Sequence, residues 1–153
     1  MRPVFVIPAR NKEKHVGQAV ISALNQTLPL EIIISDQGSE DNTLKVIKET
    51  INGYSGPHKV TILECPETQY KGMAGLNAHF NWLHENIEAD VFIISSADDF
   101  SHPERAEKTM REFETRDVDL VLTAQIFYDP VEDTTLITAH PRENGYVSLE
   151  DCT

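Results

Sequence analysis

Two carboxylates, Asp98 and Asp99, stand side by side in "IISSADDF" (residues 93–100), directly after an apolar run. Hard oxygen donors in that position suit Mg²⁺ or Mn²⁺, because a nucleotide site typically supplies one or two carboxylates and the diphosphate supplies further oxygens. The competing use of such a pair is to open a helix, whose N-terminal dipole stabilises negative charge. The net charge of −12 favours the metal, since an approaching diphosphate would otherwise be repelled. Arg10 and Lys71 would add positive charge from two other loops. In "SDQGSEDNT" (35–43), Asp36 ends a second apolar run just before Gly38, a residue free to take positive φ in a tight turn. Its carboxylate has two readings: it accepts hydrogen bonds from the turn itself, or one from a base or ribose. Spacing leaves both open. His102 and His140 have imidazoles able to ligate metal, but their places beside Pro103 and before Pro141 fit a helix start and a strand end better.

The elements that position these residues follow from two alternating periods. "PVFVIPA" (3–9), "LEIIISD" (30–36), "KVTILEC" (59–65) and "DVFIIS" (90–95) are short, nearly continuous apolar runs, as expected of strands buried on both faces. Between them, Val16, Ala19, Val20, Ala23 and Leu24 recur at helical spacing up to Pro29, and Leu44, Ile47 and Ile51 recur up to Gly53. Met73, Leu76, Phe80, Leu83 and Ile87 form the most regular amphipathic stripe, which puts Phe80 and Trp82 on or beside a core face. Ser101 and Glu104 have capping-box spacing around Pro103, with Ala106, Met110 and Phe113 on the inner face of a fourth helix. "DLVLTAQIF" (119–127) and "TTLITAH" (134–140) predict two more strands joined by "YDPVED". Such alternation implies parallel βαβ units, with the ligand outside the carboxyl ends of the strands. The four segments after the strands, "PARNKE", "SDQGSEDNT", "PETQYKGMAG" and "SSADDF", are all polar and would converge on one edge.

Composition narrows the classes. A chain of 153 residues with 40% hydrophobic content predicts a single domain over 1–153. No apolar run reaches membrane-span length, and Met1 leads straight into a strand without a signal-peptide core, so the expected location is cytoplasmic. Cys65 and Cys152 lack C-x-x-C spacing and are expected as plain thiols. The acidity argues against a nucleic-acid partner, whose phosphates call for clustered Lys and Arg.

Taken together, "VIPARNKEKHVGQAVISALNQTLPLEIIISDQGSEDNTLKVIKE" (6–49), "KGMAGLN" (71–77) and "SSADDF" resemble glycosyltransferase family 2 in continuous order over about residues 3–110. In that family a strand, loop and helix precede a "V-D-D-G-S-x-D-x-T" segment, and a D-x-D motif follows later. The resemblance implies an α/β, Rossmann-like GT-A domain with a mostly parallel central sheet and helices on both faces. It implies a nucleotide-diphospho-sugar as partner, most often a UDP-sugar, and a divalent metal, Mg²⁺ or Mn²⁺, as cofactor. Carried over position by position, it makes Pro8, Ala9 and Arg10 line the nucleotide pocket and puts Asp36 on the base. Lys71, Gly72 and Asn77 belong to the Gly- and Ala-rich segment. Asp98 would hold metal and diphosphate, with Asp99 as a second metal candidate and with Ser96 and Ala97 beside ribose and donor sugar.

Two positions depart from the family pattern. Ser96 stands where the first acid of D-x-D-D is expected, and Gln37 replaces the second acid of D-D-G-S. An inverting member also needs an acidic base to deprotonate its acceptor. Glu150-Asp151 in "SLEDCT" resembles the family's E-D pair but comes early; Asp151 is the weak candidate, and the expectation is a donor half whose base lies elsewhere. Two rivals stand beside the glycosyltransferase: a non-catalytic nucleotide or nucleotide-sugar module with an incomplete site, and a sugar-phosphate nucleotidyltransferase. The second is disfavoured because "PARNKE" lacks the glycines of its loop.

Overall fold

In the computed structural model, which describes residues 1–66, 72–123, 126–129 and 134–137, β1 (Pro3–Ala9) is a fully interior strand. Val4 to Ile7 are wholly buried, and β1 pairs on one side with β2 (Glu31–Asp36) and on the other with β4 (Val91–Ile94). Beyond β2 lies β3 (Lys59–Glu64), and every pairing is parallel, giving the order β3-β2-β1-β4. The helices between them are α1 (Val16–Leu24), α2 (Thr43–Ile51), α3 (Gly72–Asn86) and α4 (Arg105–Thr115). Side chains alternate across a sheet. Val4, Val6 and Ile33 point to the face covered by Leu83 of α3 and by Ile87 just after it, with Phe80 and Trp82 packed at the margin. Phe5 points to the opposite face, where the Arg105 guanidinium of α4 lies 5.9 Å from its ring centroid. Helices thus cover both faces of a mostly parallel sheet.

The order matters for function. The chain moves outward from β1 to β2 to β3, then returns past β1 to lay down β4 on its other side. At such a reversal the loops leaving the two central strands lie side by side, and ligands of open α/β sheets bind in the crevice outside the carboxyl ends of the strands. Here those are the loops after β1 and β4, which carry Arg10 and Lys12 on one side and Ser96 to Asp99 on the other.

Three expectations need correction. The stripe on α3 is rotated: Met73 is 71% exposed and Leu76 38%, while Gly75, His79 and Leu83 face inward. A small residue and a paired imidazole lie against the sheet there, and neither registers as hydropathy. The capping box at Ser101 and Glu104 does not form. Instead, the buried Gln26 side chain accepts from Ala106 N–H (2.9 Å) and donates to the His102 carbonyl (2.9 Å), so the start of α4 is capped from the end of α1. His102 is therefore at a helix start, as its position beside Pro103 predicts. Finally, residues 119–123 are not a strand, and Leu120 and Leu122 are exposed. The fifth strand, β5 (Ile126–Asp129), begins later and pairs antiparallel with β6 (Thr134–Ile137).

The chain divides into two compact units, Met1–Arg111 and Glu112–Thr153; the parallel sheet belongs to the first and the β5–β6 pair to the second. Among the described residues no helix is long and apolar enough to cross a membrane.

Candidate functional site

The loop after β1 and the loop after β2 are joined by side-chain hydrogen bonds that begin at Asn11. Its backbone sits at φ 52°, a left-handed conformation that Asn tolerates better than most residues. There its N–H donates to Ser39 Oγ (2.9 Å) and its side-chain oxygen accepts from Glu40 N–H (2.8 Å). Next along, Lys12 N–H donates to Thr43 Oγ1 (2.6 Å) and Glu13 N–H to Asp41 Oδ2 (3.1 Å). Glu13 Oε2 in return accepts from the backbone and side-chain amides of Asn42 (3.0 and 2.9 Å). Asp41 also accepts from Thr43 through Oδ1, at 2.9 Å from the amide and 2.5 Å from the hydroxyl. Burial raises the Asp41 pKa, but the bonds from Thr43 and from the Glu13 amide outweigh it and hold the carboxyl below its usual range. Of these residues only Asn42 immediately precedes α2, and its side chain does not cap the helix.

Thr43 is fully buried, and its hydroxyl both accepts from Lys12 and donates to Asp41. Thr43→Val keeps the shape, leaves the Lys12 N–H without its acceptor and removes one of the three donors to Asp41. Its expected cost is about 2 kcal/mol, the range for leaving buried polar groups unpaired. It should appear as a lower urea midpoint with an unchanged slope, and a midpoint within error of wild type would show that the clamp does not need this hydroxyl.

Asp36 adopts the turn role. Its carboxylate accepts from Ser39 N–H (3.0 Å) and Ser39 Oγ (2.5 Å), and its carbonyl accepts from Cys65 N–H (2.8 Å). Gly38 has φ 60°, which lets the chain turn back over Asp36. Pro8 and Ala9 are buried at the end of β1, opposite Ser35 and Asp36 in the ladder; the Ala9 carbonyl accepts from Gln37 N–H (2.9 Å). Arg10 follows, half-buried. The neighbouring Ser35 hydroxyl is 2.7 Å from Nε2 of His79, both buried, so α3 is tied to β2 by a polar contact that the sequence pattern did not reveal. Burial lowers the His79 pKa to about 4, against the opposing charge of Asp36.

Across the crevice, Ser96, Ala97, Asp98 and Asp99 form a tight turn closed by Asp99 N–H on the Ser96 carbonyl (3.3 Å), with Ala97 buried beneath it. The Asp98 carboxylate is engaged through both oxygens: Oδ1 accepts from the Ser96 hydroxyl and Oδ2 is ion-paired with Nζ of Lys12. Burial raises its pKa, but the bonds from Lys12 and Ser96 and the Lys12 charge prevail and leave it below the carboxylate norm. Burial lowers the pKa of the Arg105 guanidinium, and the charge of Asp99 partly opposes that. Arg105 itself donates to Ser101 Oγ (2.9 Å) and to the Ile94 carbonyl (2.6 Å), fixing α4 to the end of β4.

Asp98 and Asp99 are hard oxygen donors at the crevice. Among the described residues no three His, Cys, Asp or Glu side chains gather to make an all-protein metal cage. That donor set fits the way Mg²⁺ and Mn²⁺ are held beside nucleotides, by one or two carboxylates with the diphosphate completing the shell. Gly72 opens α3 at φ 58°, and Asn77 lies exposed on that helix, off its buried face. No hydrogen bond joins either to the Asp98 turn. Lys71, Asp151, Glu150, His140 and Cys152 lie outside the described residues. Lys12, Asn11, Glu13 and His79 have site-shaping roles that sequence reasoning missed. For Lys12 the signal was present, as a cation two residues beyond Arg10 on the same polar loop.

Comparison with known proteins gives one family and one fold. A family model described as Glycosyl transferase family 2 matches residues 4–147. A 4,4'-diaponeurosporenoate glycosyltransferase of Staphylococcus aureus (strain USA300) is 40% identical over 44 residues, which are 29% of this chain and 12% of that protein. Staphylococcus aureus TarS in complex with UDP-GlcNAc superposes with a TM-score of 0.56 at 21% identity, over 75% of this chain and 32% of that one. A mannosyltransferase from Pyrobaculum calidifontis in complex with GDP-Man and Mn²⁺ gives a TM-score of 0.52 at 20% identity, over 65% of this chain and 28% of that one. The chain therefore spans about a third of the length of these solved structures.

Proposed function

The chain belongs to glycosyl transferase family 2 and is a glycosyltransferase domain of GT-A fold; on that premise we propose that residues 1–153 form its donor-binding part. In this reading a nucleotide-diphospho-sugar, a UDP-sugar first among candidates, lies across the crevice between the loops after β1 and β4. The observation that carries it is the placement of Asp98, paired with Lys12, at the point where the strand order reverses. The nucleoside lies against the clamped loops, with Pro8, Ala9 and Arg10 forming one wall. Asp36 supports the turn that shapes this wall, and its remaining acceptor capacity faces the base. The diphosphate reaches toward Asp98, Asp99 and Ser96. A divalent Mg²⁺ or Mn²⁺ held by Asp98, with Asp99 beside it, would supply positive charge opposite the leaving diphosphate.

Transfer is proposed to be inverting: an acceptor hydroxyl attacks the anomeric carbon from the face opposite the departing diphosphate, and a carboxylate base takes its proton. The neighbours support the donor side of this reading, since their structures hold UDP, UDP-GlcNAc, and GDP-Man with Mn²⁺. The test is calorimetric titration with UDP and GDP, each with and without Mn²⁺. The expected result is UDP binding with Kd on the order of 10 μM in Mn²⁺, about −7 kcal/mol, and weaker binding without it. Absence of binding by either nucleotide in both conditions would overturn the reading.

One observation favours a second reading, that of a module which binds the nucleotide sugar without turning it over. Ser96 replaces an acid, and both oxygens of Asp98 are engaged by protein groups, Ser96 and Lys12. Metal-dependent UDP binding with no release of UDP from UDP-sugar, in water or with added acceptor, would favour that module.

A further inference from the structure

Lys12 occupies a place that the family pattern leaves unassigned. Its backbone is fixed, because its N–H is held by the buried Thr43 hydroxyl at the start of α2 (2.6 Å) and its neighbours on both sides are clamped to the β2 loop. Its side chain is not fixed in the same sense. The ammonium crosses the crevice to Asp98 Oδ2, and both partners keep more than a third of their side-chain surface in solvent, 38% for Lys12 and 37% for Asp98. An ion pair this exposed is held loosely and can be exchanged for another at small cost. The lysine is anchored on the loop after β1 and its charge sits on the loop after β4, so the ammonium lies in the span that a diphosphate would cross in the donor reading.

Resting on the donor-site reading above, we propose that Lys12 is a resident counter-cation for Asp98 that passes to the donor. In the donor-free protein it neutralises the carboxylate and competes with the divalent ion. When metal and nucleotide bind, Asp98 turns to the metal and the ammonium turns to a diphosphate oxygen. A lysine suits that exchange better than an arginine would, since its charge is compact, freely rotating and not committed to a bidentate geometry. Ser96 makes the device workable. With a serine in place of a further acid, one ammonium faces one carboxylate, and the serine hydroxyl donates to Asp98 instead of adding charge beside it.

Two affinities test this, measured on wild-type, Lys12→Gln and Lys12→Arg proteins. The first is Mn²⁺ binding without nucleotide, read from the free-ion electron paramagnetic resonance signal. Lys12→Gln should bind Mn²⁺ roughly fivefold more tightly, the most an exposed ion pair withholds. The second is UDP binding at saturating Mn²⁺ by calorimetry. Lys12→Gln should bind at least about tenfold more weakly, the loss of one charge-assisted hydrogen bond, while Lys12→Arg, which keeps the charge but not its compact geometry, should fall between Lys12→Gln and wild type. Urea midpoints check that all three are equally folded. Unchanged Mn²⁺ affinity in Lys12→Gln, or unchanged UDP affinity at saturating Mn²⁺, overturns the role of Lys12 while leaving the donor site standing. A wild-type protein that binds neither Mn²⁺ nor UDP overturns both.

Discussion

Asp98→Asn is expected to weaken UDP binding in Mn²⁺ by about 100-fold, close to 3 kcal/mol, and to abolish the difference between titrations with and without the metal. The substitution keeps the size of the side chain and an oxygen to accept from Ser96, so the turn from Ser96 to Asp99 is preserved. What it removes is the anionic donor. A neutral amide is a poor ligand for a hard cation, and Asp99 alone leaves a site with a single carboxylate. Stability should barely change. The Lys12 partner is exposed, and such pairs contribute about 0 to 1 kcal/mol. A large functional loss with a melting temperature shifted by only a few degrees therefore distinguishes a ligand-holding carboxylate from a structural one. Equal Mn²⁺ enhancement in Asp98→Asn and wild type would move the metal elsewhere.

The second large effect is on stability in acid. His79 is buried against Ser35, and burial holds its imidazole at a pKa of about 4, below the 6.5 of an exposed histidine. The folded protein thus excludes a proton that the unfolded chain binds below pH 6.5. Stability from this group is fully present above pH 6.5 and is lost progressively as the pH falls toward 4. A shift of this size corresponds to about 3 kcal/mol, a large fraction of a domain's 5 to 15. Urea denaturation at intervals from pH 7.5 to pH 4 measures it. His79→Gln, which retains a hydrogen-bonding partner for Ser35 but does not titrate, should flatten the curve between pH 6.5 and 4. Parallel curves for the two proteins would assign the acid sensitivity to other groups. Carboxylates whose pKa is depressed, Asp41 and Asp98 among them, lose their contribution in the same direction but in a lower window, below the usual carboxylate range.

The sheet was legible because its strands obey the simplest rule available, continuous apolar runs bounded by polar loops. β1 spans the very residues expected, 3–9, and α1 runs through all five of its apolar positions. Gly53, at φ 76°, ends α2 where a left-handed residue was anticipated. Long-range polar contacts were not legible. Gln26 caps a helix some 80 residues away, and the inward-facing His79 of α3 is paired with Ser35 of β2. Neither partner can be inferred from periodicity, which sees one element at a time. The apolar stripe on α3 misled for the same reason, since Met73 and Leu76 satisfy the pattern yet point outward. In the site, sequence singled out Asp98 and Asp99 but not the lysine opposite. Pairing depends on which loops the strand order brings together, and that order is a property of the sheet.

The bonds that join the loop after β1 to the loop after β2 also have a thermodynamic meaning. Ordering a loop residue costs about 1 to 2 kcal/mol of conformational entropy, and a ligand that must order its own site is weakened by that amount for each residue. Here residues 11–13 and 39–43 are already held in one arrangement by each other, before any nucleotide arrives. If the nucleoside binds where proposed, its side of the site is preorganised, and the costly part of recognition would fall on the proposed charge exchange at Asp98.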